Sequence, residues 1–182
     1  MKDRNLYMDD TDYYWTPELA YRDRLIIPFY YEKRIVGWTA RTVNPDKKPR
    51  YLTQAQPGFV YGLDEQRPNK VFCILVEGQV DALHVDGCAI GGSEINEQQA
   101  LLLNRLQKQI IVVPDRDKSG SKLVEQAIDY GWSVSMPEWS QEIVDVGDAV
   151  SKYGRLYALH SIVSASEDSA LKIKLRAKKW FG

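Results

Sequence analysis

Cysteine and histidine are scarce in this sequence, with two of each among 182 residues. Cys73 and Cys88 lie in apolar surroundings, and no C-x-x-C pair or Cys/His cluster accompanies them. A disulfide scaffold and a zinc finger are therefore disfavoured, and both cysteines are read as core residues. No apolar run approaches the roughly 18 residues that span a bilayer, and residues 1–12 are too polar for a signal peptide. The expectation is a soluble cytoplasmic protein without membrane contact. Neither sign of charge is in excess: 24 Lys and Arg face 25 Asp and Glu, a net charge of -1, which at first sight argues against a polyanion-binding protein. Repeats and low-complexity stretches are also missing. What remains, with 44% hydrophobic residues, is one globular domain, or one with a small annex, that can bury a core.

The near-zero total conceals a polarised distribution. Residues 24–51 hold seven basic and two acidic residues, a balance of +5, whereas residues 77–148 hold five basic and thirteen acidic, a balance of -8. Residues 168–182 turn basic again through Lys172, Lys174, Arg176, Lys178 and Lys179. The basic segment and the acidic centre are expected to face each other across one groove. The tail is read as the solvated end of an amphipathic helix.

Two grammars follow one another along the chain. Residues 25–31 and 35–43 are rich in β-branched and aromatic residues around a polar turn, and 50–52 adds a short strand, which predicts a small, mostly antiparallel β-rich unit. Beyond Pro68-Asn69, strand-like runs at 71–76, 88–90, 110–113 and 132–136 alternate with helical patterns at 79–85, 96–108 and 119–130. Further helices are expected at 148–154, 157–164 and 171–180. The alternation predicts an α/β fold with a parallel sheet covered by helices on both faces.

That reading gives the carboxylates a place. Glu77 directly follows the run 71–76, and Asp115 and Asp117 follow 110–113 across Pro114. Binding crevices of open α/β sheets lie outside the carboxyl ends of the strands, so two strands deliver three carboxylates to one edge. Asp81 would sit one helical turn beyond Glu77, and Asp145 and Asp148 follow the next strand. Acidic groups gathered without Lys or Arg repel one another unless hard cations lie among them, and oxygen ligands without His or Cys favour Mg²⁺ or Mn²⁺ over zinc. Such ions act on phosphates, which points to phosphoryl transfer. A single Asp or Glu at a strand end is more often a helix cap or a solvated loop residue than a metal ligand, and Asp117 and Asp145 are each candidates for a cap; only the joint pattern weighs against that reading.

The joint pattern resembles the Toprim domain shared by DnaG-type primases, topoisomerases and some nucleases and recombination proteins. It consists of Leu75-Val76-Glu77-Gly78-Gln79-Val80-Asp81, Gly91-Gly92-Ser93, Val112-Val113-Pro114-Asp115-Arg116-Asp117-Lys118-Ser119-Gly120 and Asp145-Val146-Gly147-Asp148. The preceding segment, with Arg24-Leu25-Ile26-Ile27-Pro28-Phe29, Val36-Gly37-Trp38-Thr39-Ala40-Arg41, Pro49-Arg50-Tyr51-Leu52 and Tyr61-Gly62-Leu63, is similar to the stretch before Toprim in DnaG-type bacterial and phage primases. The resemblance implies a partial N-terminal subdomain of the polymerase core at 1–68, a Toprim catalytic domain at 69–154 and C-terminal helices at 155–182. It implies Glu77, Asp115 and Asp117 as catalytic, metal-binding carboxylates, with Asp81, Asp145 and Asp148 as further metal positions and two or more Mg²⁺ or Mn²⁺ ions as cofactors. Arg41, Arg50 and Tyr51 match the patch that holds template DNA or nucleotide, with Arg22 and Arg24 as further candidates.

The implied activity is RNA primer synthesis on single-stranded DNA from ribonucleoside triphosphates. The implied partners include a replicative helicase and a zinc-binding domain supplied elsewhere, since neither is visible in this sequence, and the spacing of Asp145 and Asp148 looks phage-like. Arg50 stands where Lys is usual and Thr53 where Asn is usual. Two rival readings are a Toprim nuclease using the same carboxylates and a Toprim-like binding module without catalysis. A topoisomerase would need a catalytic tyrosine, and none of the eleven has a recognisable context. His84, His160 and the five tryptophans are read as structural, and Gly120 only as the start of a helix.

Overall fold

A computed structural model describes residues 13–182. The part of the expected N-terminal unit that falls on residues 1–12 lies outside the described residues. Two sheets make up the framework. The first holds β1 (Arg24–Tyr31), β2 (Arg34–Thr42) and β3 (Tyr51–Ala55), antiparallel in the order β1-β2-β3. The second holds β4 (Phe72–Val76), β5 (Cys88–Ala89), β6 (Gln109–Val112), β7 (Ser133–Ser135) and β8 (Ser166–Glu167), in the order β5-β4-β6-β7-β8. All neighbours in this sheet run parallel except the β7–β8 pair. Among the described residues, six α-helices accompany them: α1 (Gln79–Val85), α2 (Glu97–Arg105), α3 (Lys118–Asp129), α4 (Val146–Tyr153), α5 (Arg155–Ser164) and α6 (Ala170–Phe181).

The strand order has a functional consequence. The connection leaving β4 runs through α1 to β5 on one side, while the connection leaving β6 runs through α3 to β7 on the other. β4 and β6 are neighbours, so their carboxyl ends flank a topological switch point, where connections diverge and a crevice opens. Right-handed crossovers then place α1 on one face and α2 and α3 on the opposite face. The helix contacts agree: α1, α4 and α5 pack together, and α3 packs with α6. The expected two-faced covering of the sheet is present.

The central strands are continuous apolar runs because both faces are covered. Leu75, Val76, Cys88, Ile111, Val112 and Val134 are buried with at most 1% exposure, and burying each such side chain contributes about 1.5–3 kcal/mol before entropy is charged against it. Ile27 and Phe29 of β1 join the same cluster, with Phe29 stacked on Phe59 and edge-on to Tyr61. The small sheet therefore shares its core with the parallel sheet. Polar straps add to this junction. Asp64 accepts hydrogen bonds from the Glu32 and Lys33 amides at 3.0 Å each, holding a β1–β2 turn in which both residues have positive φ. Gln99 donates to the carbonyls of Phe59 and Ile90.

Tyr61, which is in no named strand, makes a single antiparallel bridge to Ala89. One detail departs from the sequence reading. β8 was not expected, because two polar residues carry no periodic signal and only the place of α5 and α6 brings them beside β7. Cys73 and Cys88 are buried and free, as expected. Among the described residues, no helix is long and apolar enough to cross a membrane.

Candidate functional site

The switch point gathers the acidic residues that the sequence reading singled out. Glu77 follows β4, and Asp115 and Asp117 follow β6 across the buried Pro114. Asp117 caps α3, accepting from the Ser119 amide at 2.8 Å and the Gly120 amide at 3.0 Å. The same oxygen accepts the Ser119 hydroxyl at 2.6 Å, and that hydroxyl lies 3.4 Å from Glu77 Oε2. A hydroxyl has one proton to give, so it goes to Asp117, and Ser119 stands between the ends of the two strands. The capping role weighed for Asp117 is thus real, yet its second oxygen is left for other work.

Asp81 and Asp145 complete the floor. Asp81, in the first turn of α1, is 9% exposed and accepts from the Gly147 amide at 2.8 Å, which ties α1 to the start of α4. Asp145 caps α4 by accepting from the Asp148 amide. Asp148 turns an oxygen back toward the Val144 amide at 3.4 Å. These three hold backbone in place, as Asp117 also does, whereas Glu77, Asp115 and Asp117 alone follow the ends of β4 and β6.

Electrostatics separate the members of the cluster. Burial, and then the charges of Glu77, Asp81, Asp145 and Asp117, push the Asp115 carboxyl up to about 8. Burial and the neighbouring Asp117 also raise Glu77. For Asp117, burial acts upward, but the Ser119 hydroxyl and the Gly120 and Ser119 amides outweigh it and hold the group below its ordinary value. Acidic groups crowded together without a cation behave in this way.

Among the described residues, no group of three or more His, Cys, Asp or Glu side chains stands ready to hold a metal ion. The donor chemistry nevertheless fits a hard divalent cation. The cluster offers oxygen alone, it is self-repelling, and Glu77 Oε1 is buried without a hydrogen-bond partner. An ion would draw these carboxylates closer together.

Two residues mattered more than the sequence suggested. Ser119 is more than a loop hydroxyl, since it bridges the two strand ends. Gly120 is more than the start of a helix: a Cβ there would lie 2.2 Å from the Asp115 carbonyl oxygen and 3.2 Å from Pro114 Cβ. Only a bare backbone lets α3 start this close to the β6 turn. The signal was present in Asp-x-Asp-x-Ser-Gly, but a steric requirement between backbone segments has no sequence period. Replacing Ser119 by Ala should weaken Mn²⁺ binding on the order of 10-fold, as expected when a group orienting a ligand is lost. Unfolding stability should change by about 1 kcal/mol or less, and titration followed by electron paramagnetic resonance reads the first effect.

The basic candidates divide. Arg41 and Tyr51 face each other in the β2–β3 register, with the guanidinium 5.4 Å from the ring centre. Arg41 Nη1 is buried without a hydrogen-bond partner, and Tyr51 is 39% exposed. Arg50 is exposed beside them. Arg24 departs from the expectation. It is only 5% exposed and donates to the carbonyls of Ala40, Pro49 and Arg50, so its guanidinium is spent on shaping the loop that carries Arg50. Its place in the sequence looked like that of its neighbours, and only the return of the loop over β1 sets it apart. Arg22 follows a short 3-10 turn, Leu19–Tyr21, and is exposed. Thr53, which stands where the resemblance leads one to expect Asn, pairs its hydroxyl with that of Thr39 at 2.8 Å.

Comparison with known proteins agrees with this geometry. Residues 74–149 match a family model described as Toprim-like. The chain is 26% identical over 171 residues to a DNA primase of Aquifex aeolicus, covering 81% of this chain and 34% of that protein. It is 29% identical over 154 residues to a DNA primase of Halalkalibacterium halodurans, covering 74% of this chain and 25% of that protein. The chain thus spans about a third or less of the curated relatives it matches. Among solved structures, a DNA primase domain from Pseudomonas aeruginosa superposes with a TM-score of 0.69 at 22% identity, covering 90% of this chain and 59% of that one. The zinc-binding and RNA polymerase domains of the Aquifex aeolicus primase give 0.66 at 23% identity, covering 91% and 49%. With its acidic cluster on the β4–β6 switch point, the chain carries a Toprim-like domain, set in the fold of a DnaG-type primase catalytic core.

Proposed function

We propose that this protein is the catalytic core of a DnaG-type DNA primase, which joins ribonucleotides on a single-stranded DNA template with the help of divalent ions. The observation that carries the reading is the reach of the primase similarity beyond the acidic domain. Residues 74–182 make up less than two thirds of the chain, so a match over 81% of it has to include part of what precedes them. That part is the small sheet with Arg41, Arg50 and Tyr51, a companion not expected of a Toprim nuclease.

Each group has a role on this reading. Glu77, Asp115 and Asp117 would hold two or more Mg²⁺ or Mn²⁺ ions, with Asp81, Asp145 and Asp148 shaping their surroundings. Bound ions would neutralise the triphosphate and make the attacking 3′-hydroxyl more acidic. Arg41 and Arg50 suit phosphate, because a guanidinium offers paired donors in a fixed fork. Tyr51 offers a ring on which a base can stack. Ser119 keeps Asp117 ionised, and the capping bonds keep it at the strand end. The +5 segment and the -8 crevice, both attractive to a metal-bearing polyanion, would face one groove.

Incubation with ribonucleoside triphosphates, Mn²⁺ and single-stranded DNA should yield short, template-dependent RNA. Strand cleavage without RNA would mean a nuclease. Metal binding that survives both Glu77→Gln and Asp115→Asn, with no product of either kind, would leave a non-catalytic binding module. Template-dependent RNA lost in Arg41→Ala and Arg50→Ala, with metal binding kept, would assign the basic patch to nucleotide or template.

A further inference from the structure

The residue between the two acidic positions that follow β6 faces a different problem from its neighbours. Arg116 donates to the Ser140 carbonyl at 3.1 Å and lies 3.9 Å from the centre of the Trp180 ring. No carboxylate of the described residues is within ion-pair distance of it, and its Nε is buried without a hydrogen-bond partner. A partly buried guanidinium without an anion is costly, and usually an anion is supplied. Trp180 shares the condition, being 8% exposed with an indole N–H that has no acceptor.

Both residues line a groove of about 1160 Å³ that starts at Asp117 and runs between the β7–α4 connection and the helices α5 and α6. Its volume exceeds the roughly 300–1,000 Å³ of small-molecule pockets, which suits an extended occupant. Lys118, Arg176 and Lys179 add three more cations to the lining, against Asp117 and Glu138, although Arg176 is committed to Glu167 at 3.7 Å and to the Ala165 carbonyl. Lys179 and Glu138 are 3.5 Å apart but 85% and 92% exposed, so their pairing is weak and screened. Tyr157, 54% exposed, packs one side of its ring against Tyr153 at 5.2 Å between centroids and offers the rest on the same wall. An acidic peptide could use the cations but has no need of the ring, whereas single-stranded nucleic acid uses both, through phosphate contacts and base stacking.

We propose that this groove, from Arg116 and Lys118 to Tyr157 and Lys179, is a track for single-stranded nucleic acid continuing from the acidic site. The inference rests on the primase reading and deepens it, because it extends the strand past Asp117 along the β7–α4 connection and the helices α5 and α6. It also gives the basic tail of α6 a use beyond that of a solvated helix end.

The test is fluorescence anisotropy with fluorescein-labelled oligo(dT) of about 4 and about 16 nucleotides, near the lower and upper site sizes of such surfaces, in the presence of Mn²⁺. The double charge reversal Lys118→Glu/Lys179→Glu should weaken binding of the long oligonucleotide about 10-fold or more. It should also flatten the logarithmic salt dependence by about 1.4, or about 0.7 for each phosphate contact removed. Tyr157→Ala should weaken it as well and Tyr157→Phe should bind like wild type, with the unfolding transition of each variant measured alongside so that loss of the Tyr153 contact is read separately from loss of stacking. Mn²⁺ binding should be unchanged in both Tyr157 variants. Long-oligonucleotide affinity that is lost in Arg41→Ala but unaltered in the groove variants would overturn the track and leave the primase reading intact. Polyglutamate competing as well as the oligonucleotide, without any effect of Tyr157, would make the groove a peptide site. Wild-type protein that binds neither oligonucleotide would refute both the track and the reading beneath it.

Discussion

Asp115→Asn should sharply reduce template-dependent synthesis and, in the same protein, make the metal-free fold more stable at neutral pH. The two effects have one cause. The Asp115 carboxyl is held up to about 8 by burial and by the surrounding acids, whereas in an unfolded chain it would titrate near 3.9. Between these values the folded protein keeps a proton that the unfolded chain releases. The stability this proton represents is complete below about pH 4 and is lost as pH rises toward 8. The slope is at most about 1.4 kcal/mol per pH unit, and less where solvent screens the group. An amide never ionises, so the variant should show a flatter stability profile. Its Tm at pH 7.5 should rise by about 2–4 °C for each kcal/mol released.

Mg²⁺ or Mn²⁺ should reverse the order. Wild-type protein should gain stability with metal concentration as a ligand binding only the folded state requires, and Asp115→Asn should gain little. Synthesis should fall on the order of 10³-fold, since metal charge stabilisation is worth several kcal/mol in a transition state. Calorimetry across pH 4–8, with and without Mn²⁺, measures the first effects and primer yield the last. A variant as unstable as wild type at pH 7.5 would mean that Asp115 does not bear the strain of the cluster.

Gly120→Ala should cost far more than the single methyl group it adds would suggest. At an ordinary helical position this change stabilises by about 1 kcal/mol through helix propensity. Here the added carbon would stand 2.2 Å from the Asp115 carbonyl oxygen, a backbone atom that cannot swing aside as a side chain does. Either the β6 turn or the start of α3 must move. The expected cost is about 1–3 kcal/mol from overpacking, opposite in sign to the propensity effect. Moving the turn also displaces Asp115 and loosens the Gly120 amide from Asp117, so Mn²⁺ affinity should fall alongside stability. Gly131, whose Cβ would meet nothing within 4 Å although its φ is +70°, supplies the contrast. Ala there should cost only the strain of a left-handed backbone and leave metal binding unchanged. Denaturant unfolding and Mn²⁺ titration of both variants make the comparison.

Much of the architecture could be read in advance because it is local or periodic. The apolar runs before Glu77 and Asp115 became β4 and β6, and the helical spacing at 79–85 became α1 with those same bounds. The acidic site was legible for a related reason: in a parallel sheet, residues directly after strands share an edge, so position along the chain stands in for position in space. Arg24, Gly120 and β8 were not legible. Each owes its role to a segment far away or to an approach between backbones, and neither leaves a mark in composition or spacing.

Charge shows the division most clearly. The basic and acidic segments, and their cancellation to -1, are properties of the sequence alone. So is the preference for hard cations, which follows from a donor set made of oxygen. The tertiary structure decided which charges are committed and which remain available. It bound Arg24 to three carbonyls, set Asp81, Asp145 and Asp148 to backbone amides, left Glu77, Asp115 and the helix-capping Asp117 at the strand ends, and placed Arg116 on Trp180 with no carboxylate of the described residues within ion-pair distance. The physical reason is that a charge's availability depends on its desolvation and its hydrogen-bond partners, which come into existence only when distant segments close around it.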